Sequence, residues 1–211
     1  MRKFCLTIIV LAGFSKALFA QFGNCTASEM QTYTDRETGN TITILTDTLK
    51  NDRFLYQTDP MWTHDGKYLL FRSSSRANDK KIERTLPNGE KRSWTPTQIY
   101  FIEMATGQII QATEGPDLGS AFLANKSNRM FISRKEKEDW NLYVMNLDKF
   151  FADVKKGKVG KPAVYETLLG TFPTNMGRPG GYAIDCNDDY AYITVEREGT
   201  EEEKERMAKN A

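Results

Sequence analysis

The sequence predicts an all-β protein: a partial β-propeller of four-stranded antiparallel blades, with about three blades in the chain and the whole truncated from a larger closed propeller. Three observations carry that expectation. The first is a repeat without gaps. The segments Met61–Phe71, Phe122–Ile132 and Ala183–Ile193 align so that Trp62, Leu123 and Ile184 are equivalent, as are Leu70, Phe131 and Tyr192, at a constant period of 61 residues. The second is the form of the repeat: a short apolar strand, a polar turn and a more apolar strand. The turns are His64-Asp65-Gly66, Lys126-Ser127-Asn128 and Asn187-Asp188-Asp189, residue types that tolerate the left-handed backbone of tight hairpins. The third is a half-unit near the start. Glu37-Thr38-Gly39-Asn40-Thr41-Ile42 matches Ala105-Thr106-Gly107-Gln108-Ile109-Ile110, so the early residues read as the last two strands of a blade.

In chain order, residues 1–20 read as a signal peptide. Arg2 and Lys3 precede the short apolar run Phe4–Phe14, and Leu18-Phe19-Ala20 forms a cleavage site that makes Gln21 the mature start. The apolar run is shorter than the roughly 20 residues a bilayer span requires. Residues 21–32 read as a loose leader. Residues 33–50 are the outer strands of the closing blade, 51–115 a blade, 116–174 a second, and 175–197 the start of the next. Further strands fall at Gln98–Glu103, Ile109–Thr113 and Asn141–Asn146, giving four per repeat. Insertions at Arg76–Pro96 and Lys149–Pro162 lengthen the period beyond the usual propeller repeat. The first, with Lys80, Lys81, Arg84, Lys91 and Arg92, reads as a mobile charged loop. Residues 198–211, with Glu201-Glu202-Glu203-Lys204-Glu205-Arg206, read as a charged helix or linker.

Charge narrows the function classes. Removing residues 1–20 leaves 26 basic against 28 acidic residues. That balance excludes a general nucleic-acid partner, which needs a basic footprint. No membrane span remains after signal removal, so the expected location is periplasmic or secreted. Cys25 and Cys186 could pair in an exported protein or stay as free thiols. No zinc-type Cys/His spacing, nucleotide loop or calcium loop is present.

The run Leu55-Tyr56-Gln57-Thr58-Asp59-Pro60-Met61-Trp62, followed by Asp65-Gly66-Lys67-Tyr68-Leu69-Leu70-Phe71, resembles the first full blade of oligogalacturonate lyases. Asp35-Arg36-Glu37-Thr38-Gly39 and Leu45-Thr46-Asp47 fit the opening of that family. The resemblance covers roughly residues 33–147, and its strand-turn-strand part is shared with TolB-like propellers. It implies metal-assisted β-elimination of pectin-derived oligogalacturonides, with a divalent, manganese-like metal and a catalytic base supplied by later blades. This chain by itself is then expected to bind no cofactor, hold no catalytic residue and be inactive, its partners being an acidic oligosaccharide and the missing C-terminal blades. The sequence departs from the family where Asn51-Asp52-Arg53 replaces histidines and Ser73-Ser74-Ser75-Arg76 replaces a Ser-Asp-Arg run. Those departures favour an alternative, a non-catalytic TolB-like module that binds protein or glycan.

A uronate substrate calls for cations, because a guanidinium fork matches carboxylate geometry. Arg53 precedes a first strand, Arg72, Arg76 and Arg134 follow second strands, and Arg178 sits in an inter-blade loop. These five are the candidate substrate-binding residues. The lone histidine, His64, lies in a turn on the opposite face and reads as a polar turn residue. Trp62, at a strand position, reads as core.

Overall fold

The computed structural model describes residues 21–197 apart from 58, 78–80, 86–88, 116–117, 138 and 173–175, and leaves the side chains of 84, 176–179 and 195–197 undescribed. The expected signal peptide and the charged C-terminal run lie outside the described residues. The fold is all-β, a row of antiparallel sheets stacked face to face as propeller blades are.

The first blade contains β4 (Asp52–Arg53), β5 (Tyr68–Ser73), β8 (Gln98–Glu103) and β9 (Ile109–Gln111). A fifth strand, β1 (Cys25–Thr26), pairs outside β9, giving the order β1-β9-β8-β5-β4. The expected first strand at Met61–Trp62 shrinks to a single bridge, Trp62 to Leu69, so Trp62 is not core but half-exposed. The second blade is a regular meander of β10 (Leu118–Leu123), β11 (Arg129–Glu136), β12 (Asp139–Asn146) and β13 (Glu166–Thr171). Flanking hairpins are β2 (Gln31–Thr34) with β3 (Thr41–Ile44), and β14 (Met176–Ile184) with β15 (Ala191–Arg197).

The period of two along each strand sends alternate side chains to opposite blade faces. Tyr68, Leu70, Ile99 and Phe101 face the second blade and meet Leu123, Met130, Ile132 and Met145 in the largest core cluster. Phe71, Tyr100, Ile102 and Ile109 form a smaller cluster on the other face with Met30 and Leu45. Phe122, Phe131 and Leu142 leave the second blade on its far side to meet Tyr182, Ile184 and Ile193.

The turns of successive blades are stitched at the repeat distance. His64 Nδ1 lies 2.9 Å from the Asn125 carbonyl, and the backbone N–H groups of Asn125 and Lys126 donate to the Asp188 carboxylate at 2.6 and 2.8 Å. His64 thus belongs to a joint between blades, consistent with the polar turn expected for it.

Three segments differ from the sequence expectation. Residues 21–32 are docked, not loose: Phe22 is buried against Phe150 and Tyr165, and the Gly23 N–H donates to Gln111 O at 2.7 Å. Gly107, at φ +73°, admits this segment, since a Cβ there would lie 2.0 Å from Ser28 Oγ. The Arg76–Pro96 insertion is not a plain loop: β6 (Ile82–Thr85) and β7 (Lys91–Trp94) form a hairpin with Ile82 opposite Trp94. The Lys149–Pro162 insertion contains helix α1 (Leu147–Lys155). Asn146 caps it by accepting from the Lys149 N–H, and Gly157 in the left-handed conformation ends it with a bond from Lys158 N to Asp153 O. Its apolar stripe, Leu147, Phe150, Phe151 and Val154, lies over the joint between the blades, with Phe151 stacked on Tyr68 at 3.6 Å. Cys25 and Cys186 are both free thiols.

Candidate functional site

The five arginines separate into two groups. Arg76 is buried, its side chain 6% exposed, and its guanidinium is filled by two carboxylates. Nε and Nη2 donate to Asp52 at 2.8 and 2.5 Å, and Nη1 and Nη2 donate to Glu29 at 2.9 and 2.6 Å. The group also lies over the Phe71 ring, 5.3 Å from its centroid. Burial works against the charge, but the bonds to Glu29 and Asp52 outweigh it and hold the pKa above the usual arginine value. Glu29 is correspondingly held below the usual carboxylate range, first by its bond from Arg76. Arg134 is consumed in the same way. It makes a bidentate pair with Glu166 at 2.8 and 2.9 Å, and the Glu166 side chain is 3% exposed. Arg76 commits four of its five N–H donors to two carboxylates, and Arg134 commits two to a buried one, so both expected substrate ligands carry ion pairs within this fold. The signal in the sequence was the set of acids at Glu29, Asp52 and Glu166, which lie 47, 24 and 32 residues from their arginines.

Arg53 and Arg72 differ. They are direct partners across the antiparallel β4–β5 pair, and both are exposed. Like charges at such positions destabilise a sheet, because opposite Cβ atoms lie only about 5 Å apart. Arg53 Nε donates to Asn51 Oδ1 at 3.3 Å. Neither guanidinium is matched to a carboxylate among the described residues. A bound anion would relieve the repulsion and take up the remaining donors.

The neighbouring contacts hold this pair in place. Asn51 donates through its backbone N–H to Ser75 Oγ and through Nδ2 to Ser74 Oγ, both at 2.8 Å. Asp52, between Asn51 and Arg53, is gripped by Arg76. Glu29 also accepts from the Asp47 N–H at 2.8 Å, so the leader, the loop before β4 and the exit of β5 are tied at one point. The triplet Asn51-Asp52-Arg53 and the run Ser73-Ser74-Ser75-Arg76 therefore complement each other, which the sequence did not reveal. Phe54 and Tyr56, next along the chain from Arg53, are exposed rings.

The backbone of Arg178 lies in β14, not in a loop as expected, because that strand begins at Met176; its side chain is outside the described residues. A cleft of about 230 Å³ beside Arg76 is lined by Glu29, Lys50 and Gln111 among others. A larger groove of about 960 Å³ runs between the leader and α1. Its lining mixes Lys155, already paired with Glu103 at 2.9 Å, with Glu114 and apolar residues, and it offers no concentration of one charge. Among the described residues, no three of His, Cys, Asp and Glu come together to hold a metal ion. No described helix is long and apolar enough to cross a membrane.

Fold and site together define a propeller segment whose rim carries an open pair of cations. Comparison with known proteins agrees on the fold. Two solved structures are similar to the chain: an oligogalacturonate lyase in complex with manganese, and the oligogalacturonate lyase of Vibrio parahaemolyticus. Each is 20% identical, with a TM-score of 0.53 over 79% of this chain and 35% of the other. The chain thus spans about a third of the length of either structure. No family model and no curated protein matches it.

Proposed function

We propose that the chain is the substrate-binding N-terminal part of an exported propeller of the oligogalacturonate lyase type, and that Arg53 and Arg72 take a uronate carboxylate of a pectin-derived oligosaccharide. The observation that carries this reading is the exposed cross-strand pair of like charges, maintained by the Asp52–Arg76–Glu29 clamp. The likeness to two oligogalacturonate lyases supports it through the fold.

In β-elimination a base removes the proton next to the carboxylate, the electron pair forms a carbon–carbon double bond, and the neighbouring glycosidic oxygen leaves and is protonated. The carbanion-like transition state puts negative charge on the carboxylate, so a cation fixed there lowers the barrier. The guanidinium pair suits that task. The described residues form no cluster fit for a metal, so no step is assigned to one here. His64 is held in a turn, and no base is assigned from this chain.

A second reading is a non-catalytic glycan-binding module. It is favoured by Asn51-Asp52-Arg53, which is taken up by the clamp and by Ser74 and Ser75 where the lyases carry histidines. Calorimetry with trigalacturonate against neutral galacto-oligosaccharide tests the shared claim: binding of the acidic ligand alone is expected. Release of unsaturated product by the protein extended through its later blades then separates lyase from binder.

A further inference from the structure

The inner edge of the first blade carries a large bulge. Arg53 stands opposite Arg72, and Trp62 opposite Leu69. The nine steps of chain from Arg53 to Trp62 therefore match only three on β5, from Arg72 back to Leu69. In the second blade the first strand is nearly regular: five steps from Leu118 to Leu123 match four on β11, from Arg134 back to Met130. The excess in the first blade leaves the sheet and turns back with the Asp59 N–H donating to Tyr56 O at 2.8 Å. Bulges re-aim side chains and are frequent beside functional sites.

This bulge presents rings to the solvent. Leu55 packs against the largest core cluster and anchors it. Phe54 and Tyr56, on either side of Leu55, are 51% and 68% exposed. A single exposed apolar residue is ordinary. Two large rings flanking a buried anchor, directly after Arg53, make a patch, and such patches mark binding surfaces. The strand order places β4 at the edge of its blade away from β9 and β1. The first strand of a blade is the one that lines the central channel of a propeller. Further blades add to the ring around that channel and leave this edge facing it.

We propose that Phe54 and Tyr56 form a sugar-stacking platform, and that they take the pyranose ring next to the uronate whose carboxylate meets Arg53 and Arg72. The platform rests on the reading of that pair as the carboxylate site and extends it by one sugar unit. The chemistry favours an acidic oligosaccharide over other occupants. A galacturonate ring holds several C–H bonds rigidly on one face, and the negative face of an aromatic ring attracts them. A neutral glycan offers the same face but leaves the cations unmatched. An acidic peptide supplies carboxylates without a preformed apolar face. Recognition then depends on chain length: free galacturonate reaches only the guanidinium pair, whereas trigalacturonate reaches the pair and the rings.

The test is a calorimetric titration of the full chain with free galacturonate and with trigalacturonate. Phe54→Ala and Tyr56→Ala are each expected to weaken trigalacturonate about tenfold and to leave free galacturonate unchanged. Tyr56→Phe is expected to keep the parent affinity. Tyr56→Leu is expected to lose as much as Tyr56→Ala, because the face of a ring is required, not apolar bulk. Both positions are exposed, so all four variants are expected to melt with the parent. Two results would overturn the platform while leaving the carboxylate site standing, provided the Arg53→Ala, Arg72→Ala double variant has lost both ligands. One is an undiminished preference for trigalacturonate in the alanine variants; the other is full affinity in Tyr56→Leu. A glutamate trimer binding as tightly as trigalacturonate would also overturn it. No binding by the parent, or binding that survives in the double arginine variant, would overturn platform and carboxylate site together.

Discussion

Two rim positions of neighbouring blades end in different electrostatics. On the second blade, Arg134 of β11 meets Glu166 of β13 in a bidentate pair, so its charge is matched. On the first blade, Arg72 of β5 stands opposite another cation, Arg53, in the strand register, while the nearby acids Glu29 and Asp52 are spent on Arg76. A structure that neutralises one arginine with two carboxylates, and leaves two others without one, places unmatched positive charge on the first blade. What separates the matched arginines from the unmatched ones is the accounting of acids, not position on the strand.

The largest test of this contrast is on stability. Arg76→Ala would leave Glu29 and Asp52 unpaired in a partly buried site and is expected to cost about 3–5 kcal/mol, with Arg134→Ala costing about 3, both measured by urea denaturation. Arg53→Ala and Arg72→Ala should be neutral or slightly stabilising in the same assay, because each removes repulsion. The contrast fails if all four variants behave alike. Next is affinity: losing either Arg53 or Arg72 is expected to weaken trigalacturonate binding about tenfold, some 1.4 kcal/mol. Arg134→Lys should leave that affinity unchanged.

A smaller effect is expected with pH. Glu29 has a lowered folded pKa, so its stabilisation is fully present above its ordinary value near 4.5 and is lost as pH falls through the lowered one. Melting curves of the parent and of Glu29→Gln should therefore differ at pH 7 and draw together only as pH falls below the ordinary carboxylate range, through the lowered pKa. Smallest is the response to salt: raising ionic strength from 0.05 to 0.5 M should weaken ligand binding several-fold, since the exposed pair is screened, and leave the buried Arg134–Glu166 pair nearly unaffected.

The sequence carried the blade repeat because burial imposes it. Leu70, Phe131 and Tyr192 keep one face and Phe71, Ile132 and Ile193 the other, and the 61-residue spacing follows. Helix α1 was not read, although Leu147, Phe150, Phe151 and Val154 have helical spacing, because the strand ending at Asn146 masked its start. Docking of the leader was not, because a single large apolar residue, Phe22, anchors it. The site was half legible. All five arginines were nominated by strand position, yet which of them remain open depends on Glu29, Asp52 and Glu166, which lie 47, 24 and 32 residues from their partners.

The most direct test of the central claim is a calorimetric titration of trigalacturonate into the parent chain and into the Arg53→Ala, Arg72→Ala double variant. The account predicts binding by the parent, and its loss in a double variant that melts no lower. Equal affinity for both proteins would contradict it and return the anion site to a different part of the molecule.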